Sequence, residues 1–404
     1  MKKINFKYAV LGVFALAIIG CQEDSLEDTV IEPQNVISSD SNAISGRYIV
    51  VYDNGVAGRV QALPKTKSLS AYRAQMSNLK AVFVDEFESV NLTEESILQT
   101  YGYAIKGFTA NLTEEQVAIL RNDPKVNSIE QDFTIQKGKP GGGNGGGPDP
   151  QVIPYGTTRV GGGTVTSSNT AWVIDSGIDL DHPDLNVDTA RSISFLSGSP
   201  SNLSPDDQHG HGTHVAGTIA AIDNEIGSVG VSPGSLVVAV RVLDRRGSGS
   251  NSGVIAGVDY VAANGSNGDV ANMSLGGGVS TALDNAVIAA AATGVKFVLA
   301  AGNSSTNANN SSPARANGPN IYTISAMDVN DNWASFSNYG NPPVDYCAPG
   351  VGVFSTWKSG GYNTISGTSM AAPHAAGVLL LGNASEDGTV NGDPDGNPDA
   401  IIHL

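Results

Sequence analysis

The sequence predicts an α/β domain over residues 151–404, built on a doubly wound, mostly parallel sheet. A small α+β unit of ferredoxin-like plan precedes it over residues 46–136. Three observations predict this. In the larger part, near-continuous apolar runs (Ala171-Trp172-Val173-Ile174, then 236–243, 270–275 and 296–301) alternate with Ala-rich helical stretches. Strands that are apolar on both faces belong in a buried parallel sheet. In the smaller part the elements run βαββαβ, the split βαβ order. Between the two lies GKPGGGNGGGPDP, within a linker at 137–150 whose composition builds no core.

Taken in chain order, residues 1–20 read as an export signal. Lys2, Lys3 and Lys7 are followed by an apolar run from Tyr8 to Ile19, shorter than the roughly 20 residues a membrane span needs. The run ends Ala17-Ile18-Ile19-Gly20-Cys21 and resembles a bacterial lipobox. The resemblance implies that Cys21 is acylated, so that the precursor meets a membrane only through a lipid anchor. Residues 21–45, acidic and rich in Ser and Asn, read as a tether. In the small unit, Arg47-Tyr48-Ile49-Val50-Val51-Tyr52 is a strand by β-propensity, 69–88 a helix, and 95–111 two strands around Tyr101-Gly102-Tyr103. Thr113 with Gln116 forms a capping box for a helix that Pro124 ends, and 126–135 is the last strand.

Bulk properties narrow the function. The 404 residues carry 39 acidic and 22 basic side chains, a net charge of −17. That balance excludes nucleic acid as a partner, since its phosphates demand clustered Lys and Arg. Two cysteines, Cys21 and Cys347, cannot build a disulfide framework. Cys347, in Tyr346-Cys347-Ala348-Pro349, reads as a buried structural thiol.

Three strings carry chemistry. Asp175, in Val173-Ile174-Asp175-Ser176-Gly177, ends a buried strand where α/β sheets expose their sites. His211-Gly212-Thr213-His214-Val215-Ala216-Gly217 offers an imidazole base on a helix whose small residues permit close packing. Its i, i+3 histidines lack the i, i+4 spacing and the carboxylate of a helical zinc site. Ser369, in Ser366-Gly367-Thr368-Ser369-Met370-Ala371-Ala372-Pro373-His374, opens an apolar helix running to Leu381, with Pro373 placed near its first turn. A serine there meets free N–H groups and a positive field.

In the order Asp, His, Ser these strings resemble the subtilisin-like serine protease family, in its subtilisin and proteinase K branch. GRYIVVY and VNSIEQD in the small unit resemble the family's inhibitor-type propeptide. The resemblance implies a secreted endopeptidase made as a self-processing zymogen, monomeric when mature, with its own propeptide as intramolecular inhibitor. Ser369 is the implied nucleophile, His211 the base, Asp175 its orienting carboxylate and Asn303, in Ala300-Ala301-Gly302-Asn303, the oxyanion donor. His209 is read as a bystander. Gly247, Ser248 and Gly249, with Ser274, Leu275 and Gly276, are the implied walls of the peptide cleft. Ser304 follows Asn303 with no acidic group nearby, which points to apolar or aromatic side chains before the cut. The resemblance also implies a structural calcium held by the carbonyls of Pro319 and Ile321 and the carboxylate of Asp345. The tail Asp393-Pro394-Asp395-Gly396-Asn397-Pro398-Asp399 has alternating oxygens but lacks the rest of an EF-hand, and reads as an acidic turn. Two other classes compete: a surface lipoprotein using the fold for binding alone, and a metallohydrolase built on His211 and His214.

Overall fold

The computed structural model describes residues 42–53, 55, 60–137 and 150–404. The signal, Cys21 and most of the linker lie outside the described residues. No described helix is long and apolar enough to cross a membrane.

The smaller unit comprises β1 (Ala43–Tyr52), α1 (Leu69–Glu86), β2 (Ile97–Tyr101), β3 (Gly107–Asn111), α2 (Glu114–Arg121) and β4 (Val126–Lys137). Its strands pair antiparallel in the order β4-β1-β3-β2. The capping box forms as the sequence predicts: Gln116 N–H donates to Thr113 Oγ1 at 3.3 Å and Thr113 N–H to Gln116 Oε1 at 2.9 Å. Two boundaries shift outward. β1 starts at Ala43, which pairs with Phe133, and β4 runs on to Lys137. The first extension pairs within the unit, and the second finds backbone partners beyond it, at Gly247 and Leu275.

The larger unit comprises α3 (Tyr155–Arg159), β5 (Thr170–Asp175), β6 (Ile193–Ser194), α4 (Pro200–Leu203), α5 (His211–Ala220), β7 (Leu236–Arg241), β8 (Ser248–Ser250), α6 (Asn251–Asn264), β9 (Val270–Met273), β10 (Leu275–Gly276) and α7 (Thr281–Ala291). There follow β11 (Lys296–Ala300), β12 (Ile321–Met327), β13 (Val344–Pro349), β14 (Val353–Trp357), β15 (Gly361–Ile365), α8 (Thr368–Leu381), β16 (Ser385–Thr389) and β17 (Ala400–His403). Nine strands form one sheet in the order β16-β17-β13-β12-β11-β9-β5-β7-β6, parallel except at the β16–β17 edge. Alternation along β5 divides the core. Trp172 and Ile174 pack with α6 and α7, whereas Ala171 and Val173 pack with α5 and α8. Helices on both faces make the sheet doubly wound, as predicted.

The two units share a sheet and a core. β4 lies antiparallel between β8 and β10, with Gln136 opposite both Ser248 and Gly276 and Lys137 opposite Leu275. Buried and half-buried carboxylates fasten the rest. Asp132 accepts from Ser252 N–H (3.1 Å) and Oγ (2.6 Å) at the start of α6, and Glu130 Oε2 accepts from Ala282 N–H (3.0 Å) at the start of α7. Helix N-termini favour such negative charge. In the opposite direction, Asp259 of α6 accepts the N–H groups of Gly102, Tyr103 and Ala104 at 3.1, 2.7 and 2.8 Å. In the full-length chain, Asp259→Ala should therefore cost about 3 kcal/mol of unfolding free energy, because three donors lose their acceptor. Denaturant titration measures it; a change near zero would mean that water serves those donors equally well.

Candidate active site

The C-terminal edge of the parallel sheet delivers Asp175 at the end of β5. Ser176 N–H donates to its Oδ1 at 2.7 Å, and His211 Nδ1 lies 2.8 and 3.0 Å from its two oxygens. A carboxylate only accepts, so Nδ1 carries the proton and Nε2 is the free lone pair. That Nε2 is buried and has no partner among the described residues.

His211 is the first residue of α5, and its position depends on Asp207, which the sequence reading missed. The fully buried Asp207 carboxylate accepts from His209 N–H (2.8 Å), Gly210 N–H (2.8 Å), Ser176 Oγ (3.0 Å), Thr213 N–H (3.0 Å) and Thr213 Oγ1 (2.7 Å). Burial pushes its pKa up against the pull of those donors. The available signal was an Asp four residues before the first helical histidine, a spacing that suits a loop carboxylate capping backbone N–H groups. Arg241, also fully buried, holds the preceding loop by donating to the carbonyls of Ser201, Ser204 and Asp206, each at 2.9 Å. Gly212 is required by close approach: a Cβ there would lie 2.1 Å from the Gly177 carbonyl oxygen.

His214 points elsewhere. Its Nε2 donates to Val353 O at 3.1 Å, and burial lowers its pKa to about 3. It is thus a neutral core histidine committed to a backbone partner. No group of three His, Cys, Asp or Glu among the described residues could hold a metal.

Ser369 is the second residue of α8. Pro373 lies inside this helix, beyond the first turn where the sequence reading placed it. Its missing N–H frees the Ser369 carbonyl, four residues back. Ser274 Oγ takes that carbonyl at 2.8 Å, and Ser369 Oγ in turn donates to Ser274 O at 3.3 Å. Asn303 is fixed by its oxygen, which accepts Thr368 N–H at 2.9 Å and Thr368 Oγ1 at 2.8 Å. Its Nδ2 is left buried without a partner among the described residues. Asn338, also missed, shapes the loop beyond: it accepts from Ser304 and Thr306 N–H at 3.0 and 3.2 Å and donates to Ala301 O at 2.9 Å.

Ser369 and Asn303 line a cavity of about 520 Å³ with Leu275, Gly276, Gly277, Gly278 and Ser304. Lys137 of β4 also borders it and is its one charged lining residue among the described residues. Gly247, Ser248 and Gly249 lie against β4 on one side, Leu275 and Gly276 on the other.

Residues 171–389 match the subtilase family, and residues 47–137 match peptidase inhibitor I9. The chain belongs to the subtilase family. It is 40% identical over 367 residues to alkaline serine exoprotease A of Vibrio alginolyticus, covering 86% of this chain but only 62% of that protein. It is 38% identical over 351 residues to the extracellular serine proteinase of Thermus sp. (strain Rt41A), with 84% of this chain and 80% of the relative covered. Subtilisin amylosacchariticus of Bacillus subtilis subsp. amylosacchariticus is 40% identical over 288 residues, covering 69% and 70%. A crystal structure of a cold adapted subtilisin-like serine proteinase superposes with a TM-score of 0.50 at 40% identity, over 62% of this chain and 97% of that one.

The calcium residues are only partly gathered. Ile321 opens β12, Pro319 lies in the turn before it, and Asp345 Oδ2 accepts Thr323 N–H at 2.8 Å. Burial raises the Asp345 pKa to about 6. Carbonyl and carboxylate oxygens are the donor type that a hard cation takes. In the acidic tail, Asp395 and Asn397 N–H groups donate to the carboxylates of Asp393 and Asp395, as in an acidic turn. Cys347 is buried and unpaired, and burial pushes its thiol pKa up.

Asp207→Asn should cost roughly 3 kcal/mol, since an amide nitrogen would face donors. Thermal unfolding of the Ser369→Ala chain reads it; an unchanged midpoint would remove Asp207 from its capping role.

Proposed function

We propose that the chain is an exported serine endopeptidase made as a self-processing zymogen. The arrangement that carries this reading is the pairing of Asp175 with His211, which leaves Nε2 free, together with Ser369 and the unpaired Nδ2 of Asn303 on one cavity. Ser369 Oγ attacks the substrate carbonyl carbon as its proton passes to His211 Nε2. Asp175 stabilises the resulting imidazolium and holds its tautomer. The oxyanion receives Asn303 Nδ2 and the Ser369 N–H. His211 then protonates the leaving amine, and water hydrolyses the acyl-enzyme by the same steps reversed.

Substrate enters as an added strand between β8 and β10, the place β4 holds in the precursor. The cavity wall contributed by the larger unit is glycine-rich and bears no charge, which favours apolar or aromatic side chains before the cut. β4 leads from the cleft straight into the linker, so self-processing falls within 133–150, and the mature enzyme acts as a monomer once the propeptide leaves. A lipid anchor at Cys21 holds the precursor to a bacterial membrane or cell surface, and the mature enzyme is released outside the cell. Labelled palmitate entering the chain, but not its Cys21→Ala variant, is the corresponding readout.

A fluorophosphonate should label the mature enzyme and not Ser369→Ala, and Ser369→Ala from a protease-free host should remain full length. Absence of labelling would favour the binding-module reading. Asn303→Ala should lower kcat about 10²–10³-fold, a magnitude measured on a subtilisin and so taken from a relative.

Pro319 and Ile321 carbonyls with Asp345 would hold calcium, which would tie β12 to β13. Calcium should raise the melting temperature by about 5 °C, and Asp345→Asn should abolish the shift. A midpoint indifferent to chelator would exclude the site.

A further inference from the structure

We propose that His209 reads the charge of the substrate side chain that takes the place of Lys137: neutral, it tolerates a cation there; protonated, it excludes one. This rests on the protease reading above.

The place itself is defined by backbone. Lys137 N–H donates to Gly247 O at 3.1 Å, and Lys137 pairs with Leu275 on the other side. Its stem lies on Gly247, where a Cβ would come within 2.7 Å of Lys137 Cε. Gly247 has φ +75° and so has two reasons to lack a side chain. The subsite accordingly accepts a long unbranched stem. Its head group is poorly served, because among the described residues the Lys137 ammonium has neither an ion pair nor a hydrogen bond. Burial lowers its pKa.

The Lys137 charge reaches His209, whose ring packs on His211 and Trp357. Its ring centroid is 6.2 Å from that of His211 and 6.2 Å from that of Trp357. Its Nδ1 accepts the His211 backbone N–H at 3.2 Å, so the neutral ring carries its proton on Nε2, and a second proton would have to displace that bond. The charged groups facing it are Lys137 from β4, Lys358 from the turn after β14, His211 from α5 and Asp175 from β5. Lys358 Nζ is anchored on Gln208 O at 2.8 Å, and Asp175 is already engaged by His211. With Lys137 in place, burial first and then these cations hold the His209 pKa down at about 4. When Lys137 departs, part of that pressure departs with it. A substrate lysine and a protonated His209 are then mutually exclusive.

The test uses quenched fluorogenic peptides copying residues 133–142 of the chain, with lysine or norleucine at position 137, and the self-processed full-length enzyme. Protonation of His211 affects kcat/KM for both peptides alike and cancels in their ratio. The norleucine-to-lysine ratio should rise about twofold from about pH 8 to about pH 5 and approach about tenfold only below about pH 4, the effect of one like charge that moves the His209 pKa by about one unit from its value near 4. His209→Gln should flatten that slope. A wild-type ratio independent of pH, or a slope surviving His209→Gln, would overturn the proposal; the wild-type slope decides even if the variant folds badly. If neither peptide is cut at any pH and fluorophosphonate fails to label, the protease reading itself has failed.

Discussion

The bond between Asp175 and His211 joins a sheet to a helix, and the site depends on that junction. Asp175 is rigid because β5 is buried on both faces and paired with β7 and β9. His211 is rigid because Asp207 gathers the N–H groups at the start of α5, while Ser176 Oγ bridges the two elements by donating to Asp207 and accepting Gly212 N–H at 3.0 Å. The absence of a side chain at Gly212 lets the helix approach closely enough for a direct contact. In the proposed mechanism an imidazole oriented this way spends little free energy on reorganisation when charge develops.

Electrostatics also organise the contact between the units, in a chain whose net charge is strongly negative. Acidic side chains are placed where the backbone offers positive potential: Asp132 and Glu130 at the starts of α6 and α7, Asp259 on three consecutive N–H groups. Such contacts persist while both units are folded, because each carboxylate is served by backbone that only the folded partner presents. The antiparallel seat of β4 adds ladder hydrogen bonds on both of its edges. The precursor thus fills its cleft with main chain before any side chain is considered.

Much of this was legible in the sequence. Continuous apolar runs announced the parallel sheet, and the capping box at Thr113 announced α2, because both depend on local pattern. Asp175, His211, Asn303 and Ser369, the residues of the proposed site, were picked out through strings that resemble the subtilisin-like family. Asp207, Asn338 and Arg241 were not, because each acts through partners from several loops, and no local period records that. Pro373 was misplaced by a few residues because its compensation comes from Ser274, far away in sequence. His209 was read as a bystander, and its charged neighbours Lys137 and Lys358 arrive from other elements. The outward shifts of β1 and β4 have the same cause: strand ends are set by available partners, not by propensity.

The helical proline has a mechanical consequence. By releasing the Ser369 carbonyl to the Ser274 hydroxyl, Pro373 couples the first turn of α8 to the link between β9 and β10. The two exchange hydrogen bonds in both directions. Displacement of one is transmitted to the other, so the Ser369 hydroxyl keeps its alignment with the segment that leads into β10.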